Sequence, residues 1–158
     1  MTRISPAPQR FERRVADIEY GVLDDLVGYA LRRAQIAIYE DFEEALGPLE
    51  MTPQRFSAMV IIAGNRGITQ GMLGRVLGIA RSGAVQVVNG LQTRGWVTRE
   101  NHGADARSWL LALTPAGQAQ LAQARRRVRA HDRRVAARLD DAERATLIAL
   151  LGRLGATG

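Results

Sequence analysis

Between residues 69 and 113 the spacing of apolar side chains changes from a helical rhythm to strand-like runs, and this change constrains the fold most. Thr69 opens a short helical stretch with Leu73, Val76 and Leu77 as its inner face, and Gly78 stops it. A second stretch runs from about Arg81 to Thr93, with Ala84, Val87, Val88 and Leu91 inward and Gly95 after its end. Apolar residues three and four apart fall on one side of a helix. Trp96-Val97-Thr98-Arg99-Glu100 and Ser108-Trp109-Leu110-Leu111-Ala112-Leu113 then bring β-branched and aromatic residues, separated by a polar, glycine-containing stretch. Such runs around such a turn predict a β-hairpin. Two short helices joined by a tight glycine turn make a helix-turn-helix, here with a hairpin behind it.

The flanks are helical. Leu23, Leu26, Val27, Ala30, Ala34, Ala37, Ile38, Phe42 and Ala45 form one apolar stripe, which predicts a helix from about Asp17 to Leu46, stopped by Gly47-Pro48. A helix near thirty residues is ~40 Å long, more than a small domain covers, so it is expected to pack on a partner chain. Thr52-Pro53 reads as an N-cap with proline in the first turn, and Phe56, Met59, Val60 and Ala63 follow as an inner face. Thr114-Pro115 repeats the device before a helix carrying Leu121, Ala124, Val128 and Val135. Asp140 is the expected cap of a last helix, with Ala145, Ile148, Leu151 and Leu154 spaced to pack. The expected fold is mainly α with a small β-hairpin wing: an N-terminal arm and long helix over 1–52, a winged helix-turn-helix over 53–113, and C-terminal helices over 114–158. The first and last segments would form a dimerisation region.

Composition narrows the function. The chain has 158 residues, no cysteine and a net charge of +6, and all 22 basic residues are arginine. Without cysteine there is no disulfide, thiolate nucleophile or Cys-based zinc site. The two histidines, His102 and His131, lie far apart without partners at ligand spacing, which argues against a metal site or a Ser-His-Asp enzyme. No cofactor is expected. No apolar run approaches the ~20 residues that cross a bilayer, and no apolar block follows Arg3 and Arg10, so a cytoplasmic protein without a membrane role is expected. Net charge is −4 over 1–52, +5 over 53–113 and +5 over 114–158. A positive middle segment suits phosphate neutralisation. By charge alone, a basic helical interaction module that binds RNA or an acidic protein fits as well.

Chemistry singles out a few side chains. Opposite the apolar face of the second short helix lie Ser82, Val85, Gln86, Asn89 and Thr93. An amide both donates and accepts, as reading adenine's N6/N7 edge requires. Arg81 opens that helix, where backbone N–H groups also favour a phosphate. In the hairpin, Asp105 lies two residues before Arg107, and a carboxylate there can orient the guanidinium toward a minor groove. Arg99 is a second candidate partner for Asp105.

With these residues in place the chain over 20–156 resembles the MarR (multiple antibiotic resistance regulator) family of winged-helix transcription factors. The resemblance is carried by Leu31-Arg32-Arg33-Ala34-Gln35, Thr52-Pro53-Gln54-Arg55-Phe56, Thr69-Gln70, Leu77-Gly78-Ile79-Ala80-Arg81-Ser82, Leu91-Gln92-Thr93-Arg94-Gly95-Trp96-Val97, Asp105-Ala106-Arg107 and Leu113-Thr114-Pro115-Ala116-Gly117. It implies a homodimer on double-stranded DNA at a pseudo-palindromic operator, acting as a repressor that a small molecule releases. It implies a ligand pocket near Tyr29, Arg32, Arg33, Ile36 and Tyr39, with Phe56 and Met59 facing them. The Leu-Arg-Arg-Ala-Gln stretch is similar to members that sense aromatic acids or their coenzyme A thioesters. Three departures stand out: Ala80 replaces a frequent aspartate cap, Gly83 a frequent threonine, and Met72 and Gly74 the usual Glu and Ala.

Overall fold

The structure is a computed structural model that describes residues 11–12, 14–101 and 109–155. A 3-10 turn over Gly21–Asp25 precedes helix α1 (Val27–Leu46), followed by α2 (Pro53–Gly64), α3 (Gln70–Val76) and α4 (Arg81–Thr93). Strands β1 (Val97–Asn101) and β2 (Trp109–Leu113) pair antiparallel with Val97 opposite Leu113, and α5 (Pro115–Val135) and α6 (Asp141–Arg153) complete the chain. A mainly α fold with a two-stranded hairpin is what the periodicity predicts.

Thr52, Thr114 and Asp140 cap their helices as expected, and Thr69, which opens α3, caps it as well. Thr52, Thr69 and Thr114 each accept from the backbone N–H three residues on, and Asp140 and Glu143 close a reciprocal capping box. The first helix is shorter than its stripe suggests. Gly21 takes a left-handed φ of +53° and Leu26 is extended, so α1 begins at Val27 and its 20 residues span about 30 Å. A 3-10 turn places residues i and i+3 on one side, as an α-helix does, so Leu23 and Leu26 mimic a continuation. Helix length therefore does not by itself demand a partner.

The core lies between the C-terminal end of α1, the three short helices, the hairpin and α5. Leu46, Met59, Leu73, Val88 and Leu91 are its largest fully buried side chains. Val76, expected inside, is 60% exposed, whereas Leu73 and Leu77 pack inward as expected. The hairpin is tied to more than itself. Thr69 bridges Leu110, and the Leu111 N–H donates to Ile68 O at 2.9 Å, so the segment entering α3 lies against β2. At the other end, a Cβ on Gly117 would sit 2.0 Å from Trp96 O, so α5 starts in direct backbone contact with the turn after α4.

Candidate nucleic-acid interface and effector hollow

The helix-turn-helix is held by a close approach of its two helices. Gly78 makes the turn at φ +64°, Ile79 N–H donates to Gly74 O at 3.0 Å, and a Cβ on Gly74 would stand 3.0 Å from Ala84 Cβ. Gly74 thus brings α4 nearer to α3 than the usual alanine would. Ala80 caps α4 without a side-chain hydrogen bond, as its departure from aspartate implies. Ala84, Val88 and Leu91 face the core, while Arg81, Ser82, Gln86 and Asn89 are exposed and Val85 is half-buried. These five share the outer side of α4. Beside them lies an open concavity of about 950 Å³ lined by Gln70, Arg75, Arg81, Arg99 and Trp109 among others. Arg75, Gln70 and Trp109 were not singled out from the sequence; an arginine one turn before the helix-turn-helix glycine was the available signal.

Arg99 stands between the wing and the helices. Its Nη2 donates to Gln70 Oε1 at 2.8 Å and to Asn89 Oδ1 at 3.1 Å. Asn89 is therefore not an unattached amide: its oxygen already accepts from Arg99, which fixes its orientation and leaves one acceptor position and the NH₂ group for a base. Asp105 and Arg107 lie outside the described residues, and with them both expected pairings of Asp105.

The seven residues expected around an effector do not form one pocket. Tyr29 and Arg33 line a hollow of about 310 Å³ with Arg14, Tyr20 and Asp24. There Arg33 Nη1 donates to the Tyr29 hydroxyl at 2.9 Å, and its guanidinium lies 5.1–5.2 Å from the ring centres of Phe11, Tyr20 and Tyr29. Aromatic faces attract such a cation and fix its orientation. Arg32, Ile36 and Tyr39 line a second hollow with Gln35, Glu40 and Glu43. Phe56 packs against the core and Met59 is 0% exposed, so neither reaches these hollows. Periodicity marks an inward side chain but not whether core or cavity meets it. Phe11 and Arg14 come from the N-terminal arm and Tyr20 from the expected start of the long helix; the mixed aromatic and basic residues of this segment were the missed signal.

His131, which looks isolated in the sequence, is buried between α1 and α5. Its Nδ1 lies 2.6 Å from Asp41 Oδ1, and Arg134 donates to both Asp41 oxygens at 2.7 and 3.3 Å. The Arg134 hydrogen bond holds the Asp41 carboxyl below the usual carboxylate range despite partial desolvation, and His131 adds to the effect. Phe42 meets the imidazole edge-on at 5.3 Å. Among the described residues, no group of three or more His, Asp or Glu side chains could hold a metal ion, and no helix is long and apolar enough to cross a membrane.

Known proteins share this arrangement. A sequence model of the MarR family matches residues 49–108. A putative transcriptional regulatory protein for the hcr operon of Thauera aromatica is 37% identical over 89% of this chain and 85% of its own length. The transcriptional repressor CouR bound to a 23-mer DNA duplex superposes with a TM-score of 0.82 at 35% identity, over 87% of this chain and 97% of that one. CouR bound to p-coumaroyl-CoA gives 0.81 at 33%, over 90% and 100%. The MarR family protein Rv2887 of Mycobacterium tuberculosis, in complex with salicylic acid, gives 0.65 at 28%, over 89% and 100%. Identity across most of both chains, and a matching order of helices, hairpin and flanking helices, establish that this protein belongs to the MarR family of transcriptional regulators.

Proposed function

We propose that the protein is a ligand-responsive repressor that binds a pseudo-palindromic operator as a homodimer in the cytoplasm, and that it is not an enzyme. The observation that carries this is the exposed polar side of α4 beside an arginine-lined concavity and a hairpin wing. A helix so presented enters a major groove, and two of them one helical turn apart read a palindrome. Arg81 and Arg75 contact phosphates; Ser82, Val85, Gln86 and Asn89 face base edges; Arg107, oriented by Asp105, serves the wing. The three segments 1–52, 53–113 and 114–158 act as arm and pocket wall, reading head and dimer base.

The dimer reading is supported by an apolar side that one chain leaves open. Leu147, Ile148, Leu150 and Leu151 on α6 and Leu154 just after it are 39–62% exposed, and Val22, Leu23, Leu26 and Val27 are likewise exposed before and at the start of α1. Contiguous apolar surface of this kind marks an interface. A small aromatic acid or its coenzyme A thioester is the effector class, supported by p-coumaroyl-CoA and salicylic acid in the two relatives. The caged Arg33 is suited to hold a carboxylate or phosphate. Binding that favours one spacing of the two heads would lower the population that fits the operator.

Fluorescence anisotropy on duplexes from the gene's own upstream region, with a scrambled duplex at matched salt, tests both parts. Preferential binding that p-coumaroyl-CoA or salicylate weakens is the expected result. Equal binding to the scrambled duplex and to an acidic peptide would refute sequence-specific regulation and favour a general polyanion binder. Retained operator binding at saturating effector would refute the ligand part alone.

A further inference from the structure

Arg99 leaves β1 and reaches both helices of the helix-turn-helix, through Gln70 on α3 and Asn89 on α4. A guanidinium carries N–H donors and no acceptor. Each amide can meet it only through oxygen, and this decides which end of Asn89 points away from Arg99. Asn89 lies on the exposed side of α4 about two turns after Ser82, with its NH₂ group as the end left for a partner. Adenine shows the major groove an N7 acceptor beside an N6 donor, so an amide reads it with oxygen and nitrogen together. Guanine shows two acceptors, N7 and O6.

We propose that Arg99 is a specificity-determining positioning residue: by holding Asn89 Oδ1 it makes Asn89 a donor, which selects guanine over adenine at the base it faces. The proposal rests on the DNA-binding function argued above. It reverses the adenine preference that asparagine suggests in the bare sequence. Gln70, held through Oε1 by the same nitrogen, is turned in the same sense, so the start of α3 and the later turns of α4 both present donors.

The test uses the whole chain and a duplex selected from a randomised pool at fixed salt, with each base pair of the selected site then substituted singly. The position at which Asn89→Ala stops discriminating is the base that Asn89 faces. There the wild type is expected to bind guanine at least about 5-fold more tightly than adenine. The ratio should fall toward one or invert in Arg99→Met and Arg99→Leu, which have no N–H to offer, and persist in Arg99→Lys, whose ammonium also only donates. Comparing two bases within one variant cancels the general loss of affinity from a missing positive charge. Circular dichroism identifies which neutral variant is folded, and either one decides. Adenine preference in the wild type, an unchanged ratio in a folded neutral variant, or no position altered by Asn89→Ala would overturn the proposal. A wild type that selects no sequence from the pool refutes the regulator function itself, a distinguishable failure.

Discussion

Gly117→Ala should cost far more than a helix-favouring substitution normally does. Alanine is the better helix former, and exchange inside a helix ordinarily gains about 0.5–1 kcal/mol. At this position the new Cβ would lie 2.0 Å from Trp96 O and 2.8 Å from Trp96 C. A carbon rests against a carbonyl oxygen at about 3.3 Å or more, so the first turn of α5 must retreat by about 1.3 Å. Both sides of the contact are backbone, so no rotamer change relieves it. The retreat breaks the local bonds there: Thr114 N–H to Trp96 O at 3.0 Å, Thr114 hydroxyl to Gly95 O at 2.5 Å, and the Thr114 cap on Gly117 N–H at 3.0 Å. A lost hydrogen bond costs about 1 kcal/mol, a lost cap about the same, and backbone displacement from overpacking about 1–3 kcal/mol. Together these predict a loss of about 3 kcal/mol or more. With a urea m-value near 2 kcal/mol/M, the unfolding midpoint should fall by roughly 1.5 M. Midpoints are compared at one protein concentration, because self-association of the folded state, as proposed above, would add to apparent stability. Gly90→Ala in α4, whose Cβ would meet nothing nearer than Arg94 Nη1 at 3.9 Å, is the control and should be neutral or stabilising. Gly117→Ala within about 0.5 kcal/mol of wild type, or Gly90→Ala equally damaging, would refute the steric argument.

Asp41 should shape the acid limb of stability. Its folded pKa is lowered, so its contribution is complete above the ordinary carboxylate value of about 3.9 and disappears as pH falls through the folded value. Asp41→Asn should lower stability at neutral pH by about 1.5–3 kcal/mol and flatten the fall of Tm below about pH 4; parallel acid limbs in the two proteins would contradict this. Arg75→Ala and Arg81→Ala should each weaken specific and random duplexes by similar factors and reduce the salt slope by about one, measured by titration at several salt concentrations. A loss confined to one sequence would instead assign base contacts to them. Ile148→Asp with Leu151→Asp should leave a folded monomer by sedimentation velocity, and a persisting dimer would place the interface elsewhere.

What the sequence discloses here is what is decided locally. Thr52, Thr69, Thr114 and Asp140 are caps whose partners lie three residues on, so each boundary is legible from a short window. The turn at Gly78 and the strands either side of residues 102–108 are legible for the same reason. The start of α1 is not, because a 3-10 turn keeps the spacing of Leu23 and Leu26 while changing the backbone. The pairing of Asp41 with His131 spans ninety residues, and nothing near either one announces it. Met59 is inward as its spacing says, yet it meets core instead of a cavity, a distinction set by the packing of α2 against its neighbours. Arg99 illustrates the same gap at the site. Its chemistry is evident from its type, but its partners Gln70 and Asn89 come from two other elements.

The stitching of β2 to the chain ahead of α3 has a consequence for what kind of duplex the protein prefers. Because Thr69 bridges Leu110 and Ile68 holds Leu111, the hairpin cannot tilt without taking the start of α3 with it. The spacing between the hairpin strands and the start of α3 is then held like the fixed jaw width of a caliper. A groove that already has that width is gripped at little cost, and one that does not must be bent or narrowed to fit. Stiffness differs between base-pair steps, so this expense varies with sequence. On the function proposed above, base pairs that no side chain touches would thereby contribute to choosing the operator.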